Sequence, residues 1–168
     1  MGQKKLDAQH GGNDFYSITA QIDAQFSDIY GRLAAVQTAT VPAGSAVALT
    51  TATPANVTSL QLLPGIYLIW GFIDATLAGA TLTALIASLS LNSGAFSSQA
   101  GGSGLGTDPT KQQLASLVTA TGTTVQDAGP TTLTVAVPTT LYLVAQAAFS
   151  AGTVSAYGSI FAKPLFQP

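Results

Sequence analysis

Few side chains in this sequence can do acid–base, nucleophilic or metal chemistry, and none of them is grouped. His10 is the only histidine and stands beside Gly11 and Gly12. A Ser-His-Asp site would need that segment to fold back over the rest of the chain. The sequence has no cysteine and no glutamate, which removes disulfides, thiolate metal sites and cysteine nucleophiles. Beyond residue 37 the carboxylates are Asp74, Asp108 and Asp127. Hydrolysis by a carboxyl pair needs a separation of roughly 5–9 Å. Asp74 falls within an apolar run, while Asp108 and Asp127 read as unpaired loop residues that shape turns. Calcium needs several clustered oxygens, which this spacing does not supply. Lys111 and Lys163 have no evident apolar pocket to lower a pKa, and no base stands near a Ser or Tyr to activate it. The expectation is a protein that is not an enzyme and carries no cofactor or metal. One opening stays: Asp74 or Asp127 of neighbouring copies, meeting on an axis, would bind a cation.

Three weaker patterns complete the search. Gly101–Gly106 reads GGSGLG, but no strand precedes it, no helix follows, and no Lys-Ser or Lys-Thr closes it, so it fails as a phosphate-binding loop. Asn56-Val57-Thr58 fits a glycosylation sequon, yet the start MGQKKLDAQHGGND has no apolar core of a signal peptide. The chain therefore reads as made in a cytoplasm and not exported by that route. Tyr67, Trp70, Phe72, Tyr142 and Tyr157 would serve as a sugar platform, although aromatics alternating on strands more often form core.

The elements that would position these residues are organised around Leu63–Leu91, LPGIYLIWGFIDATLAGATLTALIASLSL. Two apolar runs, Ile66–Leu77 and Thr81–Leu91, flank a break at Ala78-Gly79-Ala80. Both are too short to span a bilayer as a helix. Ile66, Leu68, Trp70 and Phe72 alternate with Tyr67, Ile69, Gly71 and Ile73. Both sets are apolar, so the strand is expected to be covered on both faces, by core on one and by another packed surface on the other. The pair of runs reads as the central hairpin of a β-sandwich. Further strands are expected at Ala46–Thr51, Val57–Leu62, Gln113–Thr119, Thr131–Val137, Thr139–Phe149 and Val154–Lys163, separated by Pro and Gly signals. About eight short strands indicate a mainly β, antiparallel sandwich or jelly roll. The stretch 94–110 is a long Gly-rich loop, in which Phe96, Ser97, Gln99 and Asp108 are candidates for contact with a receptor.

The N-terminal region differs. Residues 1–13 read as an extended arm. From Asp14 to Val36 the apolar residues Phe15, Ile18, Ile22, Phe26, Ile29 and Leu33 step by three and four, which predicts an amphipathic helix about 30–35 Å long. Its stripe would lie on its own β-domain or against symmetry mates. Residues 37–45 read as a linker or first turn, and 46–168 as the sandwich. Of 168 residues, 47% are hydrophobic and only 7% charged, against about a quarter charged in ordinary domains. Seven charges precede residue 37. The net charge of -2 gives no electrostatic case for nucleic acid, and nothing calls for a membrane. A surface built of Ser, Thr, Gln and Asn suits permanent burial against neighbours.

The last strands carry a resemblance. Tyr142-Leu143-Val144-Ala145-Gln146-Ala147, Phe149, Gly152, Ala156-Tyr157-Gly158 and Ile160-Phe161-Ala162 resemble the closing hairpin of small bacteriophage virion proteins with a trimeric, C1q/TNF-like jelly roll. Leu63-Pro64-Gly65-Ile66-Tyr67-Leu68-Ile69-Trp70-Gly71 looks like the Pro/Ala-Gly-x-Tyr strand of that family. The end Lys163-Pro164-Leu165-Phe166-Gln167-Pro168 departs from the usual Arg-rich finish. The resemblance, over roughly residues 41–165, implies a homotrimer on the virion surface. Tyr67, Ile69, Trp70, Phe72, Tyr142, Val144, Phe149, Tyr157 and Ile160 would form its core and trimer contacts, and the arm and helix would attach it to other virion proteins. A capsid decoration, cement or head-fibre protein, bound to the major capsid protein, is the first expectation. A small tail fibre or receptor-binding tip touching host surface glycans is the alternative.

Overall fold

The computed structural model describes residues 18, 20–26, 35–96, 112–114 and 119–166. The chain divides into two compact units, Met1–Ala35 and Val36–Pro168. In the first, residues 18 and 20–26 are helical, and Ile18, Ile22 and Phe26 of the expected stripe are exposed. Phe15, Ile29 and Leu33 lie outside the described residues.

The second unit is an antiparallel β-sandwich of jelly-roll type. Its strands are β1 Gln37–Val41, β2 Val47–Leu49, β3 Ala55–Leu62, β4 Gly65–Ser90, β5 Gln112–Leu114, β6 Thr119–Val135, β7 Thr139–Ser150 and β8 Thr153–Phe166. β4 is shared by both layers. Its first half pairs with β8 over Ile66–Ala78 and with β6 over Gly65–Thr81. Its second half pairs with β7 over Thr81–Ser90 and with β5 at Leu85–Ala87. β1 and β2 extend the first layer beyond β8, and β3 extends the second beyond β7.

The expected hairpin is therefore a corner. Both edges of Ile66–Leu77 are occupied by β6 and β8, so the run after Gly79 cannot fold back beside it and passes into the other layer. Gly79, at φ 65°, and a register shift between Ala78 and Ala80 make the bend. A second correction concerns 37–45. Gln37–Val41 is a strand on β8, and only Ala43–Ser45 is a short 3-10 turn. A third concerns Asp127, which lies within β6 and not in a loop, because that strand starts at Thr119 and runs through Gly129-Pro130.

The core fills the space between the layers. Tyr67, Ile69, Ile73 and Leu77 point inward from the first half of β4, and Leu82, Leu85 and Leu89 from the second. Leu141 and Leu143 of β7 and Ile160 of β8 complete it. Burying each such side chain contributes about 1.5–3 kcal/mol. The Tyr67 hydroxyl donates to the Leu63 carbonyl at 2.9 Å, so this buried phenol is satisfied.

Asn56 fastens the turn after β4. Its Nδ2 donates to Ser93 Oγ at 2.7 Å and its Oδ1 accepts the Gly94 N–H at 2.7 Å. Asn56→Ala is expected to cost about 1–2 kcal/mol, read as a lower urea midpoint with an unchanged slope. An unchanged midpoint would show that this turn adds nothing to stability.

Candidate functional site

The outer face of the first layer carries a row of exposed and half-buried side chains. On β4 it presents Ile66, Leu68, Trp70, Phe72 and Asp74. The register places Phe161 of β8 opposite Trp70, Tyr157 opposite Asp74, and Lys163 opposite Leu68. On the β6 side, Asp127 stands opposite Phe72 and Val125 opposite Asp74. Trp70 and Phe161 stack with ring centroids 5.3 Å apart and an interplanar angle of 11°, and Phe161 meets Phe72 at 6.2 Å and 26°. Such aromatic pairs are worth about 0.5–1.5 kcal/mol beyond the area they bury.

The sequence-predicted core residues therefore separate into two groups. Tyr67, Ile69, Val144 and Ile160 are fully buried inside the unit. Trp70, Phe72, Tyr142, Phe149 and Tyr157 are half-buried, with Phe149 packed against the core. The second face of the β4 run is partly covered within one chain, because the aromatic rings shield one another. Of the receptor-loop candidates, Phe96 is half-buried, while Ser97, Gln99 and Asp108 lie outside the described residues, as do His10 and Lys111.

Beside Trp70 the sheet opens into a cavity of about 340 Å³, bordered by Leu68, Trp70, Asp127, Gly129 and Pro130. A bulge makes it. Ile69 pairs with Thr131 and Gly71 with Ala128, so β6 carries one residue more than β4 across this interval. Gly129, at φ 92°, permits the close approach. A Cβ there would sit 3.1 Å from the Ile69 carbonyl oxygen and 3.2 Å from Trp70 Cα. Alternation makes the aromatic residues legible, but it does not single out Phe161, Gly129 or Pro130. Gly129-Pro130 carries the usual turn signal, and only its pairing with Ile69 and Gly71 reveals a bulge inside a strand.

Asp74 and Asp127 share this face on neighbouring strands, two positions out of register. That diagonal corresponds to about 7–8 Å, so they are less scattered than the sequence suggested. Asp127 borders the cavity and Asp74 does not. Among the described residues, no group of three or more His, Cys, Asp or Glu is placed to hold a metal ion. Among them, too, no helix is long and apolar enough to cross a membrane. The arrangement can bind by ring stacking and by accepting hydrogen bonds.

A second apolar surface lies at one end of the sandwich. Leu62 pairs with Thr139, Gly65 with Val135, Ile66 with Phe166 and Gln37 with Ala162. These pairings gather the 63–66 turn, the 136–138 turn, the end of β8 and the start of β1 together. Leu63 is 58% exposed there, Ile66 36%, Val137 65% and Leu165 53%. No protein-family model matches the chain, and no curated protein or solved structure matches it.

Proposed function

We propose that this chain is a bacteriophage virion structural protein. It is a homotrimer of the capsid decoration, cement or head-fibre kind, held on the particle by its N-terminal arm and helix. The observation that carries the reading is the apolar end of the sandwich. Leu63, Ile66, Val137 and Leu165 stand together in water at the end where β1 begins, which is also where the chain arrives from residue 35. Exposed apolar clusters mark surfaces that meet a partner. The polar but nearly charge-free surface around them lets identical copies approach without repulsion. The residues that support the virion setting are Tyr142–Ala147 in β7 and Ala156–Ala162 in β8, although these strands lie end to end along β4 and do not pair with each other as the closing hairpin of the resemblance would. The exposed Ile18, Ile22 and Phe26 offer an apolar helix stripe for attachment to the capsid protein.

Sedimentation equilibrium tests the assembly. The purified protein is expected to weigh about three times 16.9 kDa. Ile66→Asp with Leu165→Asp is expected to yield a monomer with an unchanged circular dichroism spectrum. Leu165 is 53% and Ile66 36% exposed in the single chain, so charge there costs an interface that buries them far more than it costs the fold. A wild-type monomer at micromolar concentration would overturn the reading.

A further inference from the structure

We propose that the cavity beside Trp70 is a binding site for a guanidinium group, the side chain of an arginine on a partner protein. The lining decides the chemistry. One face of the Trp70 ring system is held by Phe161, at 5.3 Å and 11°. Phe161 is on β8, whereas the cavity is bordered by Asp127, Gly129 and Pro130 of β6. The cavity thus lies on the side of Trp70 away from its stacking partner. The indole is fixed in place before anything binds, so little ordering cost remains for the ligand. An indole face attracts positive charge through its quadrupole.

Asp127 supplies the second element. It is exposed, and it is the only ionisable side chain among the described lining residues. Pro130 has no N–H, and Leu68 and Gly129 have no side-chain donor. Apart from the indole N–H, the lining side chains therefore offer a π face and a carboxylate, and both want an electropositive partner. Lys163, the one cation among the described residues, is on β8 opposite Leu68, with β4 between it and Asp127. The local charge is therefore left for a ligand to complete. Arginine fits better than lysine. Its guanidinium is planar, stacks on aromatic rings and presents a fork of donors to a carboxylate, while an ammonium does only part of this. At about 340 Å³ the space is at the small end of ligand pockets, which suits one side chain and its stem. The inference concerns one chain and holds whether or not the trimer proposed above exists.

Trp70 is the only tryptophan in the sequence, so its emission reports on the site directly. The full-length protein would be titrated with N-acetyl-arginine methylamide, with the citrulline analogue, which has the same shape and no charge, and with methyl glycosides. The expected result is a saturable emission change with the arginine compound. Binding should be about tenfold weaker for citrulline, and about tenfold weaker to Asp127→Asn. That variant should melt with the wild type, because Asp127 is exposed. The inference is overturned if citrulline binds as well as arginine, if Asp127→Asn binds like the wild type, if arginine leaves the emission unchanged, or if a neutral glycoside saturates the signal in its place.

Discussion

Gly152→Val is expected to produce no stable β-sandwich. Gly152 sits where β7 hands the chain to β8, crossing from one layer to the other, at φ 58°. A Cβ built on it would overlap the carbonyl oxygen of Ala78 and the backbone of Gly79 and Ala80. Those atoms belong to the β4 corner, which makes the opposite crossing between layers. Two layer-crossing turns are therefore stacked backbone on backbone, and only a residue without a side chain fits between them. The left-handed conformation is not the decisive cost. Ala52 and Ala151 adopt φ 59° and 56° in the same protein, a strain of about 1–3 kcal/mol each at most. The overlap is decisive, because neither corner can retreat without breaking the register of β4 on β6, β7 or β8. A loss of roughly 4 kcal/mol or more follows, a large part of the 5–15 kcal/mol that typically holds a domain together. Ala151→Gly is the control and should be neutral or slightly stabilising. Circular dichroism melts of the two variants decide the matter. A Gly152→Val protein melting within a few degrees of the wild type would mean that the corners are not in contact.

That pair of corners also explains what the sequence could and could not convey. Strands β3, β7 and β8 were legible because apolar alternation is bounded by Pro or Gly: Pro54 and Pro64, Pro138 and Gly152. The break at Ala78-Gly79-Ala80 was equally visible, but a Gly between apolar runs serves a hairpin or a corner alike. The choice depends on whether the edges of Ile66–Leu77 are free, and it is β6 and β8, distant in sequence, that occupy them. β1 was hidden because Gln37-Thr38-Ala39-Thr40-Val41 presents no large apolar side chain, and its pairing with β8 spans more than a hundred residues. The first half of β6, Thr119–Pro130, is hidden for a related reason. Its Thr and Gly content matches a loop, and its strand character comes from a ladder with β4. The site shows the same division. Trp70 and Phe72 stand out in the sequence as aromatic residues on an alternating strand, but a cavity needs a partner wall. That wall is a bulge at Gly129-Pro130, about sixty residues away, which local pattern cannot associate with Trp70.

Removal of residues 1–35 is expected to leave the β-sandwich folded and to abolish its incorporation into particles. Among the described residues, the buried members of the core lie between Leu49 and Ala162, and the chain divides between Ala35 and Val36. The melting temperature of the truncated protein should fall by no more than about 3 °C, which corresponds to under roughly 1 kcal/mol. A longer deletion, of residues 1–42, is the contrast. It strips β1 from the edge of β8 and takes Val41 away from the core, so it should lower the melting temperature clearly and expose a strand edge prone to aggregation. Particle occupancy should respond the other way round, with nearly the whole effect already present at 1–35. If the arm and helix supply the anchor, their loss should reduce occupancy at least a hundredfold, corresponding to about 2.7 kcal/mol of binding. Quantifying both truncated proteins on purified particles separates the outcomes. Normal occupancy of the 36–168 protein would place the anchor in the sandwich, with its apolar end as the surface to mutate next. A 36–168 protein that does not fold would show that the two units depend on each other for stability.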